Sequence, residues 1–176
     1  IKVSGASSSV LASDELLGRV IDPLANPMDG RPLPLDGELV DLYRDPPIAV
    51  TRKRIHEPFD TGVRSLNSLL TIGVGQRVGI MSGSGVGKST LLGMIAKHSS
   101  SDINVIGLIG ERGREVREFI ERDLGPEGLK RSVLVIATGD QSALKRIRAA
   151  YVATSLAEYF RDKGKRVVLM IDSVTR

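Results

Sequence analysis

The sequence predicts an α/β fold in which a mainly parallel sheet is flanked by helices. Four short runs rich in β-branched residues are almost continuously apolar, which is typical of strands buried on both faces. These runs cover residues 76–81, 103–109, 132–137 and 166–171, and longer stretches of helical character lie between them. Strands that alternate with helices are joined by right-handed crossovers and therefore lie parallel to one another.

The first fifty residues differ in composition from the rest of the chain. Six of the eight prolines lie between Asp22 and Pro47, which forbids long helices and favours turns and extended segments. We therefore predict a Pro-rich connector over residues 22–50. The apolar segment LLGRVI before it has the character of a strand, and we assign residues 1–21 to the end of a preceding domain. Since the chain opens on Ile1 and closes soon after an apolar run, we expect a fragment of a longer protein.

Three segments between the predicted strands have helical character: Lys88–His98, Gly113–Asp123 and Gln141–Lys163. In the last segment, apolar residues recur at steps of three and four, namely Ala149, Val152, Leu156 and Phe160. This spacing gives a helix one apolar face. We expect that face to pack on the sheet.

The composition argues against several classes of protein. The chain has no cysteine, so it offers no disulfide and no thiolate metal site, and a cytosolic setting fits best. Its net charge of +4 is spread among interspersed charges, and only 3% of its residues are aromatic, which favours an ordinary solvated surface over a nucleic-acid site. No apolar run approaches the roughly 18 residues of a membrane span. We expect a soluble protein.

A glycine-rich loop, SGSGVGKS at 82–89, follows the first predicted strand and precedes the first predicted helix. In this context it predicts a phosphate-binding loop of the pattern G-x-x-x-x-G-K-[ST], in which backbone N–H groups and the helix dipole converge on phosphate oxygens. Ser82 stands in place of the first glycine, where the strand ends and a small side chain fits, so we expect nucleotide binding to be retained. The predicted nucleotide-binding residues are Gly83, Ser84, Gly85, Val86, Gly87, Lys88, Ser89 and Thr90.

Two carboxylates follow predicted strands at the edge of the sheet where the loop also lies. Transfer of a γ-phosphoryl group to water needs a carboxylate that holds magnesium and a group that orients or deprotonates the water. Asp172 and Glu111 are the candidates for these two roles. Simpler roles fit the same positions: a helix N-cap for Asp172 and a solvated loop carboxylate for Glu111.

Three stretches together closely resemble the flagellar protein-export ATPase and its relatives that energise type III injectisomes: PFDTGVRSLNSLLTIGVGQRVGIMSGSGVGKSTLLGMIA, GLIGERGREVREFIERDLG and DQSALKRIRAAYVATSLAEYFRDKGKRVVLMIDSVTR. The chain is more distantly similar to the catalytic β subunit of rotary ATP synthases. The resemblance implies a P-loop NTPase (RecA-type) core over residues 51–176 that lacks its C-terminal part. It also implies that residues 1–21 are the exit segment of an N-terminal β-barrel domain.

The resemblance implies ATP hydrolysis with ATP and Mg²⁺ as ligands. Lys88 and Ser89 match the phosphate-binding lysine and the magnesium-binding hydroxyl, and Asp172 matches the magnesium-organising aspartate. Glu111 matches the catalytic glutamate that polarises the attacking water. Arg112 matches an arginine near the outer phosphate, although pairing with a nearby surface glutamate explains that residue almost as well.

The resemblance also implies a homo-hexameric ring with sites between subunits. Such a ring works in the cytoplasm, peripherally at the inner face of the cytoplasmic membrane, beside a membrane export gate. Its implied partners are export-apparatus proteins, regulatory stalk proteins and export chaperones, and no nucleic acid. We expect little hydrolysis from an isolated fragment, because losing an arginine finger costs ~10³–10⁵ in rate.

Three alternatives stay open on the sequence alone. The first is an injectisome ATPase, although we favour the flagellar system because it is the commoner one. The second is a non-hydrolysing subunit of a rotary ATPase ring, against which Glu111 argues. The third is an RNA-translocating hexamer similar to the terminator Rho, against which GERGREV, the loop sequence and the scarcity of aromatic residues argue.

Overall fold

The computed structural model describes residues 8–83 and 85–176. Its six strands are β1 (Ser9–Ala12), β2 (Arg19–Ile21), β3 (Glu38–Asp41), β4 (Ile103–Ile109), β5 (Ser132–Ala137) and β6 (Val167–Asp172). Four of them form one sheet in the order β2-β5-β4-β6, in which every neighbouring pair is parallel. The other two, β1 and β3, form an antiparallel pair. The predicted parallel α/β sheet is therefore confirmed.

Five α-helices surround the sheet: α1 (Arg64–Leu69), α2 (Lys88–His98), α3 (Gly113–Glu118), α4 (Gly125–Lys130) and α5 (Ala143–Asp162). A π-helix at Phe119–Leu124 joins α3 to α4, and short 3₁₀ turns lie at Asp14–Leu16 and Ala49–Thr51. No helix within the described ranges is both long and apolar enough to cross a membrane.

Alternate residues of the central strands point to opposite faces of the sheet. On one face Val105, Val133 and Val135 belong to the same apolar cluster as α5. On the other face Ile106 and Leu134 belong to the cluster formed by α2, α3 and the π-helix. Both faces of the sheet are therefore covered, which explains why β4 and β5 read as continuous apolar runs.

The apolar face predicted for α5 is confirmed. Its four predicted residues, Ala149, Val152, Leu156 and Phe160, are no more than 1% exposed. A Ser142 side chain that accepts a hydrogen bond from the Lys145 backbone N–H caps the start of this helix. The predicted span of Gln141–Lys163 is thus slightly longer than the observed one.

The prediction of a strand over residues 76–81 was wrong. These residues have no strand partner in the described part of the chain, and three of their apolar side chains are exposed, Val78, Ile80 and Met81. A strand needs a neighbour to receive its backbone hydrogen bonds. The edge strands of the main sheet are β2 and β6, and neither pairs with this segment, so its apolar composition alone does not make it a strand.

The segment that we assign to the end of a preceding domain contributes a strand to the main sheet. Residues 19–21 form β2 and pair in parallel with Val133–Val135 of β5. Val20 and Ile21 are buried, so joining the sheet removes apolar surface from water. The following connector contains β3 and one 3₁₀ turn, and no α-helix among residues 22–50, as its prolines predict.

The predicted helix Gly113–Asp123 is divided. The α-helical part ends at Glu118, and the π-helix continues to Leu124. It lies very close to α2, because a Cβ placed on Gly93 would be 2.5 Å from the carbonyl oxygen of Asp123. Only a residue without a side chain at Gly93 permits this contact between the two helices.

Candidate functional site

The glycine-rich loop leads directly into α2. Gly85 and Gly87 have φ values of +76° and +96°, in the left-handed region that glycine adopts without strain. A Cβ added to Gly83, Gly85 or Gly87 would meet no atom within 4 Å, so the described loop backbone is open to a ligand. Ser84, also predicted to bind nucleotide, lies outside the described residues. Gly87 is the N-cap of α2, and the first N–H groups of a helix lack intrahelical partners.

Lys88 is the first residue of α2, and Asp172 is the last residue of β6. The Lys88 ammonium forms an ion pair with Oδ1 of Asp172. The Asp172 side chain is only 6% exposed, whereas that of Lys88 is 29% exposed. The structure therefore brings the loop and the carboxyl end of β6 together through these two predicted residues.

Glu111 lies two residues beyond β4, and its backbone is held on the same edge of the sheet. Its carbonyl accepts a hydrogen bond from the Gly139 N–H at 3.0 Å, and the preceding Gly110 donates to the Ala137 carbonyl at 2.6 Å. The Glu111 side chain is 11% exposed. Its Oε2 lies 3.2 Å from Nη1 of Arg176. Oε1 is buried without a hydrogen-bond partner in the described part of the chain.

The surroundings of Glu111 raise the pKa of its carboxyl. Burial is the largest cause, because it disfavours the charged form. A proton on Glu111 is also stabilised by donation to the Glu115 carboxylate, and the negative charge of Asp172 acts in the same direction. The positive charge of Arg176 opposes them. A carboxyl with such a raised pKa in this setting is a candidate for proton chemistry.

The remaining predicted residues lie around this group. Ser89 follows Lys88 in the first turn of α2 and is half-buried. The exposed Thr90 donates from Oγ1 to Oδ1 of Asp123 at 3.4 Å. Val86 is 69% exposed at the tip of the loop.

Arg112 does not join the Lys88, Asp172 and Glu111 group. Its guanidinium is 70% exposed and pairs with Glu115 at 2.9 Å. This is the simpler surface role that the sequence left open for it.

Arg176 was not among the site residues predicted from the sequence. Its Nη1 donates to the Gly110 carbonyl at 2.7 Å and pairs with Glu111. Its own carbonyl accepts from Nη1 of Arg146 in α5 at 3.0 Å. A signal was present, because Arg176 follows Asp172 by one turn, and a turn after a strand folds back toward the edge that the strand has just left.

The oxygen donors at this edge suit magnesium better than a softer metal. A serine hydroxyl and a single carboxylate are hard ligands, and Mg²⁺ is usually held by one or two carboxylates together with substrate phosphates. Among the described residues, no group of three or more His, Cys, Asp or Glu side chains is placed to hold a metal ion. Ser89 and Asp172 therefore fit a magnesium ion that is shared with phosphates and not one that is caged by protein.

Residues 62–176 match the ATP synthase alpha/beta family, nucleotide-binding domain. The flagellum-specific ATP synthase of Bacillus subtilis is 57% identical over the whole chain, which covers 40% of that protein. The SPI-2 type 3 secretion system ATPase of Salmonella typhimurium is 55% identical over 95% of the chain and 38% of that protein. The chain thus spans about two-fifths of the length of these relatives.

Solved structures agree with these relatives. The assembled ATPase EscN in complex with its central stalk EscO, from the enteropathogenic E. coli type III secretion system, superposes with a TM-score of 0.90. That match has 51% identity and covers 96% of this chain and 42% of EscN. The family match covers the loop, the five α-helices and strands β4 to β6. The chain belongs to the ATP synthase alpha/beta family.

Proposed function

We propose that the protein containing this chain hydrolyses ATP to ADP and phosphate in a magnesium-dependent reaction. The observation that carries the proposal is the meeting of Lys88, Asp172 and the buried Glu111 at the carboxyl edge of the sheet, beside an open glycine-rich loop. Ligands of parallel α/β sheets bind at this edge. The family match supports the same site.

Each part of the loop has a role in binding. The backbone from Gly83 to Gly87 offers N–H groups to the phosphates, and the first turn of α2 adds the positive end of its dipole. Lys88 supplies a point charge for the outer phosphates. Thr90 extends the polar lining of the same turn.

Magnesium, when bound with ATP, neutralises charge on the phosphates and orients them for attack. The Ser89 hydroxyl and the Asp172 carboxylate are the groups that would hold it. Asp172 has little freedom, because its side chain is buried and pairs with Lys88.

Glu111 is the group that acts on the attacking water. Its Oε1 is buried and takes no hydrogen bond from the described residues, so the ionised carboxylate has unused acceptor capacity. The ionised carboxylate accepts the water's proton as the oxygen attacks the γ-phosphorus, and the bond from that phosphorus to the bridging β-phosphate oxygen breaks to release ADP. Arg112, which is exposed and paired with Glu115, would reach the outer phosphate only after leaving that partner.

We infer that this hydrolysis drives protein export, in the flagellar system first and in a type III secretion system as the alternative. Relatives named for both systems are 49–57% identical to this chain over the aligned residues. On this proposal the protein is cytoplasmic and peripheral to an export gate at the membrane. It forms a homo-hexamer and contacts a stalk protein, as EscN contacts EscO, and export chaperones. Residues 51–176 form the first part of the ATPase domain, and residues 1–21 leave a β-barrel domain.

The test is magnesium-dependent ATP hydrolysis by the full-length protein, measured against protein concentration. We expect specific activity to rise steeply with concentration, because the sites are shared between subunits, and we expect loss of motility when the gene is deleted. If the full-length protein binds ATP without turning it over at any concentration, the ATPase proposal fails. If it turns ATP over but the deletion mutant swims, the secretion alternative takes its place.

A further inference from the structure

A buried carboxylate lies against the helix that begins with Lys88. Asp123 belongs to the π-helix at Phe119–Leu124, and its side chain is only 5% exposed. The π-helix packs closely on α2, because a Cβ on Gly93 would be 2.5 Å from the Asp123 carbonyl oxygen. An aspartate is seldom buried in this way unless its carboxylate is paired or hydrogen-bonded. The partners of Asp123 therefore indicate what holds it there.

Those partners are Thr90 and Arg122. Thr90 is the third residue of α2, and its Oγ1 donates to Oδ1 of Asp123 at 3.4 Å. Arg122 donates from Nε to Oδ1 at 3.2 Å and from Nη2 to Oδ2 at 3.3 Å, and its side chain is 67% exposed. Arg122 thus reaches the carboxylate from the surface, whereas Thr90 reaches it from the first turn of α2.

The same stretch of chain leads back to Glu111. Helix α3 begins two residues after Glu111 and continues directly into the π-helix. Single turns of π-helix are rare in proteins and are frequently found at functional sites. Asp123 therefore joins the segment that begins at Glu111 to the helix that begins at Lys88.

We propose that Asp123 is a positioning residue for nucleotide binding, which holds Thr90, and with it the first turn of α2, in the orientation that binds phosphates. This inference rests on the ATPase function proposed above. The same turn contains Lys88 and Ser89, so any shift of this turn displaces the lysine and the hydroxyl together. The effect of Asp123 on affinity passes through Thr90 and involves no contact between Asp123 and the nucleotide.

In the full-length protein, affinity should fall without a loss of rate. Asp123→Ala should raise the Kd of a non-hydrolysable ATP analogue, measured with magnesium, by ~5-fold, which is the net effect of one hydrogen bond. The single-turnover rate at saturating ATP should stay unchanged, because Glu111 is untouched. Asp123→Asn should restore wild-type affinity, since its amide oxygen still accepts from Thr90. Glu121→Ala is the matched control, because Glu121 lies in the same π-helix and is 61% exposed.

A double-mutant cycle with Thr90 gives the decisive comparison. Thr90→Val removes the donor and keeps the shape of the side chain, so it should weaken analogue binding ~5-fold, whereas Thr90→Ser should not. If Asp123 acts through Thr90, the double variant with Asp123→Ala and Thr90→Val should bind no more weakly than either single variant.

Three results would overturn the inference. The first is a double variant in which the two losses of affinity multiply, because Asp123 and Thr90 would then act separately. The second is wild-type affinity in Asp123→Ala or in Thr90→Val, because the carboxylate would then have a purely structural role. The third is a Thr90→Ser variant that binds as weakly as Thr90→Val. If Asp123→Ala fails to fold, the two Thr90 variants decide by the last two of these results.

This test separates failure of the inference from failure of the proposed function, because analogue binding does not require hydrolysis. A wild-type protein that binds the analogue and never turns over ATP removes the ATPase function, and the same binding measurements still decide the role of Asp123. A wild-type protein that hydrolyses ATP, together with an Asp123→Ala variant that binds the analogue equally well, removes the role of Asp123 alone.

Discussion

Glu111 illustrates how position gives a common side chain an uncommon property. A glutamate in a charged loop ordinarily stays solvated, yet two backbone hydrogen bonds hold this loop against the end of β5, one to Ala137 and one from Gly139. The carboxyl is then buried near two other carboxylates, Asp172 and Glu115, and its pKa rises. A carboxyl whose pKa is raised takes a proton more readily than an ordinary glutamate does.

The pKa of Glu111 predicts the acid side of the pH–rate profile. Turnover needs the ionised carboxylate, so kcat should fall as the pH drops through a pKa that lies above the ordinary glutamate value of about 4.3. Glu115→Gln removes the carboxylate that stabilises the protonated form of Glu111. The pKa of Glu111 should therefore drop and the acid limb should move to lower pH. Measuring kcat against pH in both proteins tests this.

Glu121→Gln is the control for that comparison, because Glu121 is 61% exposed and pairs with Arg117. It should leave the acid limb where it is in the wild type. An acid limb that moves upward in Glu115→Gln, or does not move, would contradict the assignment.

At the scale of single residues, the sequence predicted the types of the site residues and their places in the fold better than it predicted their contacts. It placed Lys88, Asp172 and Glu111 at one edge, because each stands at the end of a strand or the start of a helix. It did not predict that Arg112 would pair outward with Glu115 while Arg176 takes the place beside Glu111. The turn after Asp172 indicated that Arg176 folds back toward this edge, but the sequence did not show which of the two arginines reaches the carboxylate.

At the scale of elements, α2 is positioned by its contact with the π-helix. Gly93 faces the backbone of Asp123, and a Cβ there would lie 2.5 Å from its carbonyl oxygen and 2.8 Å from its carbonyl carbon. Backbone atoms cannot swing aside as a flexible side chain can. The helix that begins at Lys88 is therefore held in place by a glycine that helix propensity alone would disfavour.

Gly93→Ala should destabilise the protein by ~1–3 kcal/mol through overpacking, despite a helix-propensity gain of about 1 kcal/mol. Because α2 carries Lys88 and Ser89, ATP affinity should fall as well. Gly113→Ala is the matched control, since a Cβ at this helical glycine meets nothing within 4 Å. Chemical denaturation and analogue binding measure both effects. Equal stability of the two variants would show that the contact does not hold α2.

The predicted strands agree with the structure where a strand is buried on both faces of the sheet. The prediction failed where a strand would need a neighbouring strand to pair with. The spans of β4, β5 and α2 agree with the predicted ones, because a doubly buried strand carries its own signal and α2 begins directly after the glycine-rich loop. Residues 76–81 also carry apolar side chains, Val78, Ile80 and Met81, and still form no strand, because strand formation requires a neighbour. The π-helix has no periodicity that separates it from an α-helix over six residues.

At the scale of the whole molecule, the connector is fastened to the sheet by a buried ion pair. Arg19 of β2 donates to Asp29 through Nε at 2.6 Å and Nη2 at 3.0 Å. The two side chains are 7% and 12% exposed. The hydrogen bond from Arg19 is the main reason that the pKa of Asp29 lies far below its usual range. Sequence composition revealed the connector but not this link, which joins residues ten positions apart across a turn.

Asp29→Asn should cost ~3–5 kcal/mol of unfolding free energy, because it leaves Arg19 as a buried charge without its partner. The sign of the pH effect follows from the lowered pKa. The stabilisation by Asp29 is present above the ordinary aspartate pKa of about 3.9 and is lost as the pH falls toward the native value. Wild-type stability should therefore drop on acidification by an amount that Asp29→Asn does not show. Asp36→Asn, in the exposed part of the connector, should match the wild type.

We propose that Lys88 of the loop binds the nucleotide and that the buried Glu111 acts in its hydrolysis. The measurement that tests it most directly is ATP binding and single-turnover hydrolysis by the full-length protein, its Lys88→Gln variant and its Glu111→Gln variant. We expect Lys88→Gln to lose nucleotide binding. We expect Glu111→Gln to bind ATP as the wild type does and to hydrolyse it at least ~10²-fold more slowly. A Glu111→Gln protein that turns over ATP at the wild-type rate would contradict it.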